Sequence, residues 1–205
     1  MPRIAGSRRG LALGALAGVL TGCATAPPLP PVRTFAIARD TRTYSAEIAV
    51  RLQGPDVRAR TRALIAFDRP QRLRVEVPGP GGARFVLVVR GGELTAVFPS
   101  ERAVYRGGTS AAEVEALLGV ALEPSEIMDL LLGAGPARLV SYRVWWGERL
   151  PARIEARLED GTRLELRVSD AETDAPLPEA AFESPASRGY RPVSAHEARR
   201  LWSAR

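Results

Sequence analysis

Few groups in this 205-residue chain could do covalent or acid–base chemistry: one thiol, one imidazole and a set of carboxylates. The thiol is Cys23, directly after Leu20, Thr21 and Gly22. Thr21 and Gly22 are small enough to let a peptidase approach the backbone, and a thiol in that place can be alkylated by a lipid donor. The imidazole, His196, sits in an arginine-rich tail beside Glu197 and Arg199, with no serine or second histidine motif near it in sequence. A surface residue is the expectation, since a general base needs a partner to hold it and a substrate proton within reach. The carboxylates alternate with arginines (Arg153, Glu155, Arg157, Glu159), which is the pattern of a solvated strand face. Gly79, Gly81 and Gly82 match neither a dinucleotide fingerprint nor a phosphate loop. One Cys excludes a disulfide within the chain and any multi-cysteine metal site. The chain is therefore expected to be no enzyme and to hold no cofactor and no metal.

The segment ahead of Cys23 is built for export. Arg3, Arg8 and Arg9 are followed by an uncharged run from Gly10 to Leu20. That run is about half the ~20 residues needed to span a bilayer, so a secretory signal is expected over residues 1–22, not a transmembrane helix. Leu20-Thr21-Gly22-Cys23 resembles the lipobox of bacterial lipoproteins. The resemblance implies that Cys23 becomes the first mature residue and carries acyl chains, palmitate among them. By the same resemblance Ala24 in the next position, where an Asp would keep an enteric lipoprotein in the inner membrane, implies the outer membrane, with the domain facing the periplasm. Residues 24–32 hold four prolines in nine, so 23–35 reads as a lipidated Cys and an extended tether. All 29 basic residues are arginine, against 23 acids, for a net +6. Without the leader 183 residues remain with +3, the signs interspersed, so no nucleic-acid partner is expected.

Residues 36–205 are long enough for one domain with a full core. Tyr44, Ala46, Ile48, Val50 and Leu52 alternate with polar residues as a strand does. Over 57–67 one face carries Arg58, Arg60 and Arg62 and the other Val57, Ala59, Thr61, Ala63, Ile65 and Phe67. The arginine face could meet anionic headgroups or an acidic partner, although an ordinary exposed face is the commoner meaning. Leu73, Val75 and Val77 alternate next, and Pro78, Gly79, Pro80, Gly81 and Gly82 form a loop. A strand apolar on both faces follows (Phe85, Leu87 and Val89 against Val86 and Val88), then Leu94–Phe98 and Ala103–Tyr105. Short turns between consecutive strands favour an antiparallel sheet that curls. The period then changes. Ser110 and Glu113 form a capping box ahead of Val114, Leu117 and Leu118. Pro124 opens a second helix with Ile127, Leu130 and Leu131 on one stripe. Strands resume over 138–146 and on either side of Asp160-Gly161, a hairpin signal. Residues 171–185 read as a loop or weak edge, and 194–202 as a short helix. The fold class is thus mainly β: an antiparallel incomplete barrel covered by short amphipathic helices. A closed barrel would fill its interior with side chains; a half-open one would leave room for hydrocarbon. The pattern leaves both open.

The order of parts resembles a known family. Leu64-Ile65-Ala66-Phe67-Asp68-Arg69-Pro70 is followed by a Pro/Gly loop, by ARFVLVV at 83–89, and by Tyr105-Arg106-Gly107-Gly108. Two helices come next, at 110–122 and 123–133, and the hairpin LPARIEARLEDGTRLELRVSD closes the series. From about Thr43 to Phe182 this is similar to the outer-membrane lipoprotein receptor LolB and its LolA-like carrier relatives. The resemblance implies an eleven-stranded incomplete barrel under a helical lid. It also implies a monomeric chaperone that accepts acylated lipoproteins from a periplasmic carrier and transfers their chains to the membrane, making and breaking no bond. On it, an acyl-chain cavity is expected to be lined from the strands by Ile65, Phe67, Val75, Val77, Phe85 and Leu87, and by Val89, Leu94, Phe98, Val140 and Val144. From the lid come Val114, Leu117, Leu118, Ile127, Leu130 and Leu131. The loop Pro78–Gly82 would face the membrane, here without a large apolar tip. The alternative is an envelope assembly or scaffold lipoprotein of the same fold with a filled interior and no lipid cargo.

Overall fold

A computed structural model describes residues 40–203. The proposed leader, lipobox and tether, and with them Leu20, Thr21, Gly22 and Cys23, lie outside the described residues. Ten strands form one sheet: β1 (Thr43–Gln53), β2 (Arg58–Asp68), β3 (Arg72–Gly79), β4 (Gly82–Arg90), β5 (Glu93–Phe98), β6 (Ala103–Gly108), β7 (Leu139–Trp146), β8 (Pro151–Leu158), β9 (Arg163–Thr173) and the two-residue β10 (Arg191–Pro192). The helices are α1 (Ala111–Leu118), α2 (Pro124–Leu131) and α3 (Ala195–Ser203), with a 3-10 turn over Glu179–Phe182. The strand order is β10-β6-β5-β4-β3-β2-β1-β9-β8-β7. Two meanders are joined where β1 pairs antiparallel with β9, and β10 alone is parallel to its neighbour. The sheet does not close on itself: β7 is one edge and β10 the other. It is the antiparallel incomplete barrel with short helices that the periodicity indicates, with ten strands among the described residues.

Alternation sends one residue set inward along every strand. Ile48 faces Ala63 and Val168, and Ile65 faces Ala46 and Val75, so the same parity is carried across β9, β1, β2 and β3. That face holds Tyr44, Ile48, Leu52, Ile65, Phe67, Leu73, Leu87 and Leu94, each no more than 4% exposed. Ile154, Leu158, Leu164 and Leu166 continue it. The proline–glycine stretch is shorter than a loop. β3 runs to Gly79 and β4 starts at Gly82, so Pro80-Gly81 is a two-residue hairpin turn, with Gly81 at φ +79° as the second turn residue.

The two-faced burial of β4 has a cause distant in sequence. After β9 the chain crosses the outer face of β3 and β4 as a strap. Phe182 is 1% exposed there, and Val86, Val88, Val97 and Val104 are buried on the outer side. Arg74 fixes the strap by donating to the carbonyls of Ala181 (3.4 Å) and Glu183 (3.2 Å), and Arg90 pairs with Glu179 at 3.0 Å. The strap then reaches the β6 edge as β10 and turns into α3. The reading of 171–185 as a loop or weak edge holds in part: β9 extends through Thr173 before the strap begins.

Candidate functional site

The helices cover the inner face of the bent sheet. α1 is capped by Ser110, whose Oγ accepts from the Glu113 amide at 3.4 Å and donates to Glu113 Oε2 at 2.9 Å. Glu113 also accepts from the Gly108 amide at 2.8 Å, and these donors hold its carboxyl below its usual value. Gly119 ends α1 at φ +74°, where an added Cβ would meet Val57 Cγ1 at 2.6 Å; only glycine fits both the left-handed cap and the close approach. Pro124 opens α2, and the Glu126 side chain accepts from the Glu123 amide at 2.9 Å.

Three ties pin the cover. Trp202 of α3 donates from Nε1 to the Leu117 carbonyl at 2.8 Å. Arg199 donates to the carbonyls of Ala116 (2.9 Å) and Glu115 (2.5 Å) at the C-terminal end of α1, where the Glu115 carbonyl also accepts from the Gly119 amide at 2.8 Å. Arg69, in the β2–β3 turn, pairs with Asp129 of α2 at 2.5 Å. α3 also enters the core, with Trp202 7% exposed and its ring 6.4 Å from Phe85. Ser194 with Glu197 three residues on marks the helix in the sequence, but only the docked structure shows that it belongs to the cover.

Of the residues expected to line a cavity, Ile65, Phe67, Val77, Phe85, Leu87, Val89, Leu94 and Phe98 lie together on the inner face, as does Val144. Val114, Leu117, Leu130 and Leu131 of the cover meet them, with Val75, Leu118 and Ile127 half-buried at the margin. Val140 departs from the set. It is 63% exposed, because a register shift between Leu139 and Ser141 takes it out of the alternation on the edge strand.

The interior is closed as it stands. Phe67, Ala96, Leu117 and Leu122 are 0% exposed, wholly sealed from solvent. Among the described residues, the best-formed hollows lie at the surface, each edged by charged side chains. One polar group breaks the apolar lining. Tyr44 is 1% exposed, its ring stacked on Phe67 at 5.0 Å, and its hydroxyl finds no hydrogen-bond partner among the described residues. Burial pushes its phenol up from the ordinary tyrosine range. His196 lies in the first turn of α3 and joins no such arrangement.

No protein-family model matches the chain, and no curated protein matches it. Among solved structures it is similar to a LolA superfamily protein from Nitrosomonas europaea, at 14% identity over 77% of this chain and 99% of that one, TM-score 0.43. An uncharacterized conserved protein from Thermus thermophilus is 13% identical over 78% and 96%, TM-score 0.43. The Mycobacterium tuberculosis lipoprotein LppX is 13% identical over 72% and 94%, TM-score 0.40. At these scores the likeness is loose, and the chemistry of the site is that of the residues described above.

Proposed function

We propose that this is a lipid-anchored protein of the outer membrane, facing the periplasm, that takes the acyl chains of lipoproteins into its apolar interior and passes them to the membrane. Cys23 would carry the anchor, a periplasmic carrier would deliver the cargo, and the Pro80-Gly81 hairpin would face the bilayer. One observation carries the reading: a continuous apolar inner face, roofed by three short helices, contains, among the described residues, one stranded hydroxyl, that of Tyr44. An unpaired buried hydroxyl costs about 1–3 kcal/mol. An ester carbonyl entering with an acyl chain would accept from it.

A closed interior is compatible with this because the exchange is nearly balanced. The cover buries Val114, Leu117, Leu122, Met128, Leu130 and Leu131, among others. Uncovering such side chains costs about 1.5–3 kcal/mol each, so six or more cost upward of about 9 kcal/mol. An acyl chain of roughly fifteen methylenes avoids water by about 12 kcal/mol. The chain would take the place of helix side chains on the sheet instead of filling a standing hole. The full closure favours a second reading, a scaffold lipoprotein with a permanently filled barrel. Titration of the full chain with a fluorescent fatty acid separates the two. Saturable uptake near one probe per chain, lost in Leu117→Asp while the fold persists, supports transfer; unsaturable partitioning alone supports the scaffold.

A further inference from the structure

The strap covers the outer face of β3 and β4, and among the described residues nothing is laid over the outer face of β2, β1, β9, β8 and β7. Cross-strand register assembles on that bare face a charge pattern that no single segment displays. Arg60, Arg51, Glu165, Glu155 and Arg143 form one row across the five strands. Arg58, Gln53, Arg163, Arg157 and Ser141 form the next, and Arg62, Ala49, Arg167, Arg153 and Trp145 the third. Nine arginines stand in these rows against two carboxylates, Glu155 and Glu165; Glu47, Asp68 and Glu172 lie farther along the same face, which still leaves an excess of positive charge. Residues 40–203 as a whole hold 23 arginines and 23 acids, so this excess on one face is matched by a deficit over the rest of the domain.

Glu47, Glu155 and Glu165 engage only Arg62, Arg153 and Arg167. Arg51, Arg58, Arg60, Arg143, Arg157 and Arg163 are exposed and have no ion-pair partner among the described residues. Four of these six border a hollow of about 420 Å³, which Glu155 and Glu165 also line. Six like charges held on adjacent strands repel one another, so the arrangement calls for an anion from outside. Two further residues on the same face point to what kind. Trp145 is half-buried under the Arg153 guanidinium, 4.9 Å from its ring centre, and Leu64 is 48% exposed beside Arg62. An amphipathic ring and an aliphatic side chain among arginines suit a bilayer interface, where aromatic residues sit at headgroup level. The 16 residues between Cys23 and Asp40 reach at most about 55 Å when fully extended, so a domain anchored at Cys23 stays within reach of a bilayer.

We propose that the bare outer face of β2-β1-β9-β8-β7 docks on anionic phospholipid headgroups, with the hollow among Arg51, Arg143, Arg157 and Arg163 receiving a phosphate. The docking does not require that the interior bind acyl chains. Lipid docking orients a tethered domain against the membrane in a way that a flexible tether alone cannot.

The test compares full-chain proteins for sedimentation with vesicles of phosphatidylcholine and with vesicles containing phosphatidylglycerol, at about 0.01 M and about 1 M salt, where the Debye lengths are about 30 and 3 Å. The face variant is Arg51→Gln/Arg60→Gln/Arg163→Gln. The control, Arg102→Gln/Arg188→Gln/Arg200→Gln, removes the same charge elsewhere and keeps the N-terminal segment. At low salt the preference for anionic vesicles should fall about 100-fold in the face variant and by much less in the control; high salt should erase the difference. Bromine-labelled lipid in anionic vesicles should quench tryptophan emission in the parent chain and no longer do so in Trp145→Phe, a readout independent of the triple variant's folding. Equal losses in both triples, or quenching unchanged in Trp145→Phe, overturn the proposal. Binding to polyglutamate or heparin that the face variant loses while its vesicle preference stays intact assigns the face to a soluble polyanion and likewise overturns it.

Discussion

Replacing Tyr44 by Phe probes the interior at the one buried hydroxyl left unpaired among the described residues. The ring is buried to 1% exposure and stacks on Phe67 with an interplanar angle of 12°; phenylalanine retains both. What disappears is a hydroxyl without a partner. Leaving such a group unpaired costs about 1–3 kcal/mol, partly offset by the small void its removal leaves. A net gain of about 1 kcal/mol is expected, and a domain of this size then melts about 2–4 °C higher. The same change should weaken an acyl ligand that uses the hydroxyl. Loss of one hydrogen bond of about 0.5–1.5 kcal/mol corresponds to about a 2- to 12-fold weaker competitor. Circular dichroism melts give the first number. Displacement of a fluorescent fatty acid by a long-chain glyceryl ester and by an alkane of equal length gives the second. The ester should lose affinity in the variant while the alkane holds. A lower melting temperature would mean that the hydroxyl is satisfied in the folded protein. Equal changes for ester and alkane would remove Tyr44 from ligand recognition.

Other perturbations probe the cover. Leu117→Ala opens a gap beneath α1 at a fully buried position and should cost about 2–5 kcal/mol in denaturant unfolding. Trp202→Phe keeps the ring over Phe85 but leaves the Leu117 carbonyl without its donor, so a loss of about 1 kcal/mol and faster proteolysis within α3 are expected. The bonds that Glu113 accepts from Gly108 and Ser110 hold its folded pKa below the ordinary glutamate value. A lowered carboxylate adds stability above the unfolded pKa and loses it as pH falls through the folded one. Melting of the parent chain should therefore drop more steeply below about pH 4.3, the ordinary glutamate value, than that of Glu113→Gln, and parallel curves would refute the role.

Strands and helices were legible because each rests on local alternation or local caps. Tyr44–Leu52, Ser110 with Glu113, and Pro124 with Gly133 mark their elements within a few residues of where they form. Three features were not legible, each for a physical reason. β4 is visibly apolar on both faces, but its outer cover comes from Phe182, about a hundred residues on, and periodicity carries no information on distant partners. The interior reads as apolar either way, since closure depends on the summed volume of side chains and helices and not on their order. The basic face could be glimpsed at Arg58, Arg60 and Arg62 alone. Its remaining arginines join only through the pairing of β1 with β9, whose residues are more than a hundred positions apart. Val140 shows the converse: a one-residue register shift undoes an alternation that the sequence displays clearly.

The route of the strap and α3 makes synthesis order matter. Nine of the ten strands are complete by Thr173, yet Trp202 must still arrive to seal Phe85 and the end of α1. A chain emerging N-terminus first cannot finish its oily centre until α3 is free, so a product cut just ahead of Ala195 would keep its strands and still show grease to the solvent. A protease would find its target there, and docking of α3 would close that window.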